Sequence, residues 1–231
     1  MALPATATQR SKVRTIQEAL SRVVDGSSIM VGGFGLAGCP WPLIDALAVH
    51  GARSLTIISN DLGSPGVGLG KLLTYGLVKK VIGTYYTWNP EVSRQYLEGL
   101  LEVELVPQGT FVERIRAAGV GLGGFYTPTA VGTELAEGKE TRVISGREHV
   151  LEFPLRADVA LVKCHKADTL GNLVYRKTAR NFNPLMAMAA DYVIAHSDYI
   201  VQPGELDPEA IVTPQLFVDV VVHGGTGNEA S

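Results

Sequence analysis

Only two cysteines, Cys39 and Cys164, stand among 231 residues, so the chain has no disulfide framework and no thiol spacing for a metal cage. A reducing compartment, the cytoplasm, is the expectation. No apolar run reaches membrane-spanning length, and Met1 to Val13 lacks the apolar core of about 7 to 15 residues that a signal peptide needs, so no membrane partner is expected. Charge of either sign is not in excess: 20 Lys and Arg face 23 Asp and Glu, a net charge of −3. Such a balance gives no broad field for nucleic acid, and any anionic ligand must be held locally. Histidines are few, and His50, His149, His196 and His223 show no ligand spacing, so no metal is expected. What the chain has in plenty is apolar residues, 46%, and 26 glycines, the composition of a globular protein with many tight turns. No linker or composition break divides it. One domain over residues 1–231 is expected, with flexible ends at about 1–12 and 224–231.

Periodicity predicts helices alternating with strands. Ile16, Ala19, Leu20, Val23 and Val24 recur at helical spacing, Asp25-Gly26 turns the chain, and Ile29 to Val31 reads as a strand. A helix over 42–49 stopped near Gly51, a strand over 55–59, a helix over 69–75 and a strand over 81–85 follow. Asn89-Pro90-Glu91 opens the next helix, with Asn as cap and Pro in the first turn. Leu101, Val103 and Leu105 alternate with Glu102 and Glu104, which reads as a strand with one solvated face and not as a catalytic carboxylate pair. Thr110-Phe111-Val112-Glu113 reads as a capping box opening a helix to Ala117, and residues 118–132 as irregular. Strands are expected over 143–153, 159–163, 173–176, 192–195 and 217–222, with a helix over 183–190. The alternation predicts an α/β fold with a single, mostly parallel sheet covered on both faces.

Directly after the first strand, Gly33, Gly35 and Gly38 form a G-x-G-x-x-G, and Asp61 follows the second strand, where a dinucleotide-binding domain keeps its ribose acid. An NAD-dependent oxidoreductase is therefore one reading. It requires a helix beginning at about the second glycine, whose amides hold the pyrophosphate. Here that helix would contain Pro40 and Pro42, and a proline beyond the first turn costs about 3 kcal/mol. The segment is thus a long irregular loop in which glycines let another group approach closely.

Asp25-Gly26, Ile29-Met30-Val31, Gly32-Gly33-Phe34, Gly38 and Pro40 together resemble the signature of the first subunit of family I CoA-transferases. The likeness extends through Val106-Pro107-Gln108-Gly109-Thr110, Glu113 to Arg116, Phe125 to Thr129, Gly132-Thr133, Arg176-Lys177, Ala179 to Pro184 and Gly204 to Pro208, about residues 15–222 in all. The resemblance implies the alpha subunit of a 3-oxoacid CoA-transferase, acting on acids such as acetoacetate or 3-oxoadipate, with CoA as substrate and no tightly bound cofactor. It implies a beta subunit carrying the nucleophilic glutamate in a Ser-Glu-Asn-Gly motif, which this chain lacks, and an alpha2beta2 heterotetramer inactive without that partner. A related hydrolase or lyase subunit, and a non-catalytic assembly module, are the other readings.

By the same resemblance Gln108 is the oxyanion-hole glutamine, and Gly32, Gly33, Phe34, Gly35, Leu36, Ala37 and Gly38 form the CoA segment. Close packing against a partner subunit would require the same glycines. Asn60 and Asp61, at a strand end, are candidates for the acyl pocket, with loop capping as the alternative. Arg176, Lys177 and Arg180 could meet phosphates or a carboxylate, though a salt-bridged surface accounts for them too. Cys164 and His165, adjacent on a strand, should point to opposite faces and form no catalytic pair. Tyr85, Tyr86 and Trp88 are placed near the site.

Overall fold

The computed structural model describes residues 10–224. Thr15 caps α1 (Ile16–Leu20) in a reciprocal box with Glu18, and the chain then turns at Gly26 (φ +79°) into β1 (Ser28–Val31). α2 (Trp41–His50) starts after Pro40 with Pro42 in its first turn and ends at Gly51 in the left-handed region. β2 (Leu55–Ile58), α3 (Gly70–Thr74), β3 (Val78–Gly83), α4 (Pro90–Leu97), β4 (Glu102–Leu105) and α5 (Gln108–Gly119) continue the alternation. As expected, the Asn89 side chain accepts the Glu91 amide at the start of α4.

The second half departs from regular alternation. β5 (Phe125–Thr127), β6 (Thr141–Ile144) and β7 (Arg147–Glu152) form a separate antiparallel sheet in the order β5-β7-β6. The single strand expected over 143–153 is therefore a hairpin, because Ser145 and Gly146 both take positive φ and reverse the chain. β8 (Ala157–Asp168), β9 (Leu173–Val174), α6 (Asn183–Met188), β10 (Ala190–Val201) and β11 (Val220–His223) complete the fold. The large sheet runs β11-β10-β8-β1-β2-β3-β4, parallel throughout, with β9 antiparallel beside β8.

Both faces of the large sheet are covered. On β1, Ile29 and Val31 point to one core and Met30 to the other; on β8, Val159 and Leu161 part from Ala160 and Val162 in the same way. The first core is closed by Leu43, Ile44 and Leu47 of α2, Leu72 of α3 and Val92 of α4. The second is closed by Phe111 and Ile115 of α5 and Met186 of α6. Buried strands of this kind read as continuous apolar runs, which is why they were visible in the sequence.

Two expectations are corrected. The helix after Pro107 has no capping box: α5 begins at Gln108, so Thr110 lies in its first turn, buried, and its side chain caps nothing. The helix from Ile16 stops at Leu20, leaving Val23 buried after a turn and Val24 exposed. Glu102 and Glu104 do face an ion-paired surface, Glu104 meeting Lys80 at 2.8 Å and Arg114 at 2.9 Å. Lys12, in a stretch expected to be a loose end, donates to the carbonyls of Gln215 and Val218 at 2.7 Å each. The remaining end residues, 1–9 and 225–231, lie outside the described residues.

Candidate active site

Strand order reverses at β1, which has β2 on one side and β8 on the other, and ligand clefts of α/β sheets form at the carboxyl ends of strands at such a point. The glycine loop leaves the sheet there. A Cβ on Gly32 would stand 1.8 Å from Asn183 Oδ1, one on Gly33 2.4 Å from Cys39 Sγ, and one on Gly38 2.4 Å from the Ala179 carbonyl. Gly32 and Gly38 let the loop lie flat on residues 177–183, and Gly33 lets it fold back over Cys39. Asn181 holds it there, its Oδ1 accepting the Gly33 amide at 3.1 Å and its Nδ2 donating to the Ala37 carbonyl at 3.0 Å. Fully buried Asn183 accepts the Lys163 amide and donates to the Gly38 and Ala179 carbonyls.

Phe34 and Ala37 exchange amide-to-carbonyl bonds of 3.0 and 3.1 Å, closing a tight turn that leaves Phe34 and Leu36 51% and 63% exposed. The amides of Gly32, Gly33, Phe34, Gly35 and Ala37 are all bonded within the chain. A pyrophosphate cradle needs such amides free, and α2 does not begin until Trp41. The dinucleotide reading of Gly33, Gly35 and Gly38 fails on both counts.

Three successive strand ends bring the other candidates together. Asn60 follows β2, Thr84 follows β3 and Gln108 follows β4. Gln108 Nε2 donates to Asn60 Oδ1 at 2.8 Å, and Thr84 Oγ1 donates to the same oxygen at 2.9 Å. Asn60 Nδ2 in turn donates to Asp61 Oδ2 at 2.8 Å, an oxygen that also accepts the Gly35 amide at 2.8 Å. Asp61 Oδ1 accepts the Gly63 amide at 3.0 Å. Asn60 and Asp61 are buried, whereas Gln108, first residue of its helix, is exposed. The loop, both strand-end candidates and the glutamine thus form one hydrogen-bonded constellation.

What this constellation can do is donate hydrogen bonds; it holds no activated nucleophile. Burial, with the Asp61 charge adding to it, pushes the Cys39 thiol up to about 12, and Cys39 donates to the Gly35 carbonyl. Burial also drives the Tyr86 phenol upward, and among the described residues its hydroxyl has no partner. The depression between the glycine loop and residues 59–69 has a volume of about 20 Å³, room for about one water, so no acyl-sized chamber is enclosed there.

The Coenzyme A transferase family profile matches residues 13–224. The chain belongs to the coenzyme A transferase family. It is 55% identical over 210 residues to the A subunit of the 3-oxoadipate CoA-transferase of Pseudomonas putida, covering 90% of this chain and 91% of that one. It is 48% identical over 213 residues to the alpha subunit of the acetate CoA-transferase of Escherichia coli K12, covering 92% and 97%. In fold it is similar to an acyl-CoA transferase of Escherichia coli O157:H7 solved as a thioester complex with CoA, with a TM-score of 0.81 at 21% identity. That match covers 94% of this chain but 48% of the other, so the chain spans about half the length of that solved relative.

In this CoA-transferase chain the remaining sequence candidates fall outside the constellation or at its rim. Tyr85 and Trp88 pack edge to face at 5.7 Å and are exposed, and a Cβ on Gly35 would lie 3.7 Å from Trp88, so they stand beside the loop tip. Arg176, Lys177 and Arg180 are exposed next to the Asn181 latch, and among the described residues none of them makes an ion pair. Cys164 is buried in the core while His165 meets Asp198 at 3.4 Å on the other face. Among the described residues no group of His, Cys, Asp and Glu could hold a metal ion. Sequence reasoning gave no site role to Thr84, Asn181 or Asn183. Asn181 and Asn183 lay in the Ala179 to Pro184 stretch of the family likeness, but nothing local marks any of the three as a contact of the glycine loop or of Asn60.

Proposed function

We propose that this chain is the alpha subunit of a two-subunit 3-oxoacid CoA-transferase, moving CoA between an acyl-CoA donor and a 3-oxo acid such as acetoacetate or 3-oxoadipate. The observation that carries this reading is its 46–55% identity to the A and alpha subunits of CoA-transferases across nearly their full length. The site is consistent with it: an exposed amide is held at a strand-end cleft, and no activated nucleophile stands beside it. The nucleophile is then a glutamate of a beta subunit, and the assembly an alpha2beta2 heterotetramer. Two buried, unpaired thiols suit the cytoplasm.

In this mechanism the partner's glutamate attacks the thioester carbonyl, expelling CoA thiolate and leaving an acyl-glutamyl anhydride. The thiolate then attacks the glutamyl carbonyl, releasing the first acid and leaving a glutamyl-CoA thioester, which the acceptor carboxylate resolves by the reverse sequence. Each addition places negative charge on a carbonyl oxygen. Gln108 donates to that oxyanion with the N–H not spent on Asn60. CoA is substrate here, and no tightly bound cofactor enters. The glycine-loop segment Gly32 to Gly38 meets CoA through its tip, Phe34 to Leu36, since its other glycines pack inward.

Reconstitution tests the reading. The chain mixed with its beta subunit is assayed for CoA transfer from succinyl-, acetyl- and butyryl-CoA to acetoacetate and 3-oxoadipate. Transfer by the mixture and by neither component on its own is expected. Transfer by the purified chain without its partner, or none by the mixture with any pair, overturns it.

A further inference from the structure

Asp61 is buried and touches nothing that reacts, yet its carboxylate collects three donors: Asn60 Nδ2, the Gly35 amide and the Gly63 amide. An ionised carboxylate can only accept. Its contact with Asn60 therefore forces the Asn60 amide to turn its NH₂ toward Asp61 and its oxygen toward Gln108 and Thr84. That oxygen, again an acceptor, forces Gln108 to approach with nitrogen. A primary amide carries two N–H groups, so one binds Asn60 and the other is left at the exposed end of the side chain. Reversing the Asn60 amide would reverse Gln108 with it and present a carbonyl oxygen to the cleft.

We propose that Asp61 is a positioning residue that sets the direction of the Asn60–Gln108 amide chain, and so decides whether Gln108 meets the cleft as donor or acceptor. This rests on the oxyanion role proposed for Gln108. It gives the adjacent pair Asn60 and Asp61 a task other than lining an acyl pocket. The same carboxylate oxygen ties the glycine-loop tip, through the Gly35 amide, to the glutamine. What matters is an acceptor at Oδ2, not the charge.

Two substitutions in the assembled two-subunit enzyme separate these roles. Asp61→Ala removes the acceptor, and kcat should fall about 10- to 100-fold as the transition-state contact is lost, while KM for the acyl-CoA reports separately on the Gly35 amide freed at the loop tip. Asp61→Asn can place its amide oxygen at the Oδ2 position, keep the Asn60 and Gly35 donors and lose only Gly63, so kcat should recover most of the loss. In a Gln108→Ala background Asp61→Ala should lower kcat no further, because its effect on turnover runs through Gln108. Unchanged kcat in Asp61→Ala, Asp61→Asn as impaired as Asp61→Ala, or losses that multiply in full in the double variant would each overturn the proposal. Should Asp61→Ala not assemble, Asp61→Asn by itself still tests the proposal, since its amide oxygen can hold the Asn60 and Gly35 donors. Its kcat should stay near that of the wild type, and a loss as large as that of Gln108→Ala overturns the proposal. Normal turnover of Gln108→Ala by itself is a different result, and refutes the oxyanion role.

Discussion

Gln108 opens α5 without capping it, its side chain being engaged by Asn60, so removing the amide takes nothing from the helix. Gln108→Ala should therefore fold and bind the beta subunit normally, while turnover falls about 10²- to 10³-fold, the usual cost of one oxyanion donor. Steady-state kinetics on the assembled enzyme checks this, and near-normal kcat would remove Gln108 from the chemistry. Cys39 and Cys164 behave in the opposite sense. Burial pushes both thiols up to about 12, so at neutral pH neither is a thiolate. A disulfide-exchange reagent should leave both unmodified in the native chain and titrate both after denaturation; rapid native labelling of either would contradict their burial. The roles of single residues were legible unevenly. Gln108 stood out because Pro107 and Gly109 frame it within a family motif, but its bond to Asn60 spans 48 positions and no local pattern announces it.

The glycine loop as an element owes its shape to what it lies on. Gly38→Ala would drive a methyl to 2.4 Å from the Ala179 carbonyl at φ +70°, whereas at Gly35 (φ +56°) the nearest atom, on Trp88, is 3.7 Å away. Overpacking against backbone adds to left-handed strain in the first case, and strain acts alone in the second. Gly38→Ala should thus lose about 2 to 4 kcal/mol and Gly35→Ala about 1 kcal/mol, read from urea unfolding midpoints. Equal losses would mean that the loop is not pressed on residues 177–183. At this scale the sequence revealed elements well where periodicity was long and misplaced them where chemistry was ambiguous. Thr110 and Glu113 have the spacing of a capping box, yet Pro107 already fixes the chain for helix entry, so α5 starts earlier and the box goes unused. Thr15 and Glu18 form the box instead.

Over the whole molecule, one buried base couples stability to pH. His196 on β10 is 4% exposed, and neither ring nitrogen has a partner among the described residues. Burial first, then the Lys163 charge, lower its pKa to about 4 from 6.5; Asp198 opposes and His223 reinforces this. The unfolded chain therefore takes up a proton at a higher pH than the folded one. Above about pH 6.5 His196 is neutral in both states and adds no pH dependence, and stability is lost as pH falls toward 4, by about 3 kcal/mol in all. His196→Met, similar in volume, should flatten that part of the stability profile in denaturant unfolding between pH 7 and 4.5; an unchanged slope would place the acid sensitivity elsewhere. The sequence by itself determined the α/β class, the two covered faces and the family, because buried parallel strands are continuous apolar runs and the motifs are contiguous. Only the tertiary structure decided which residues of the site meet. Asn60, Thr84 and Gln108 converge because β2, β3 and β4 lie side by side in the sheet, and Gly32 and Gly38 are glycines because α6 and the turn before it pass beneath them. Contacts across such distances depend on strand order, which hydrophobic pattern does not encode.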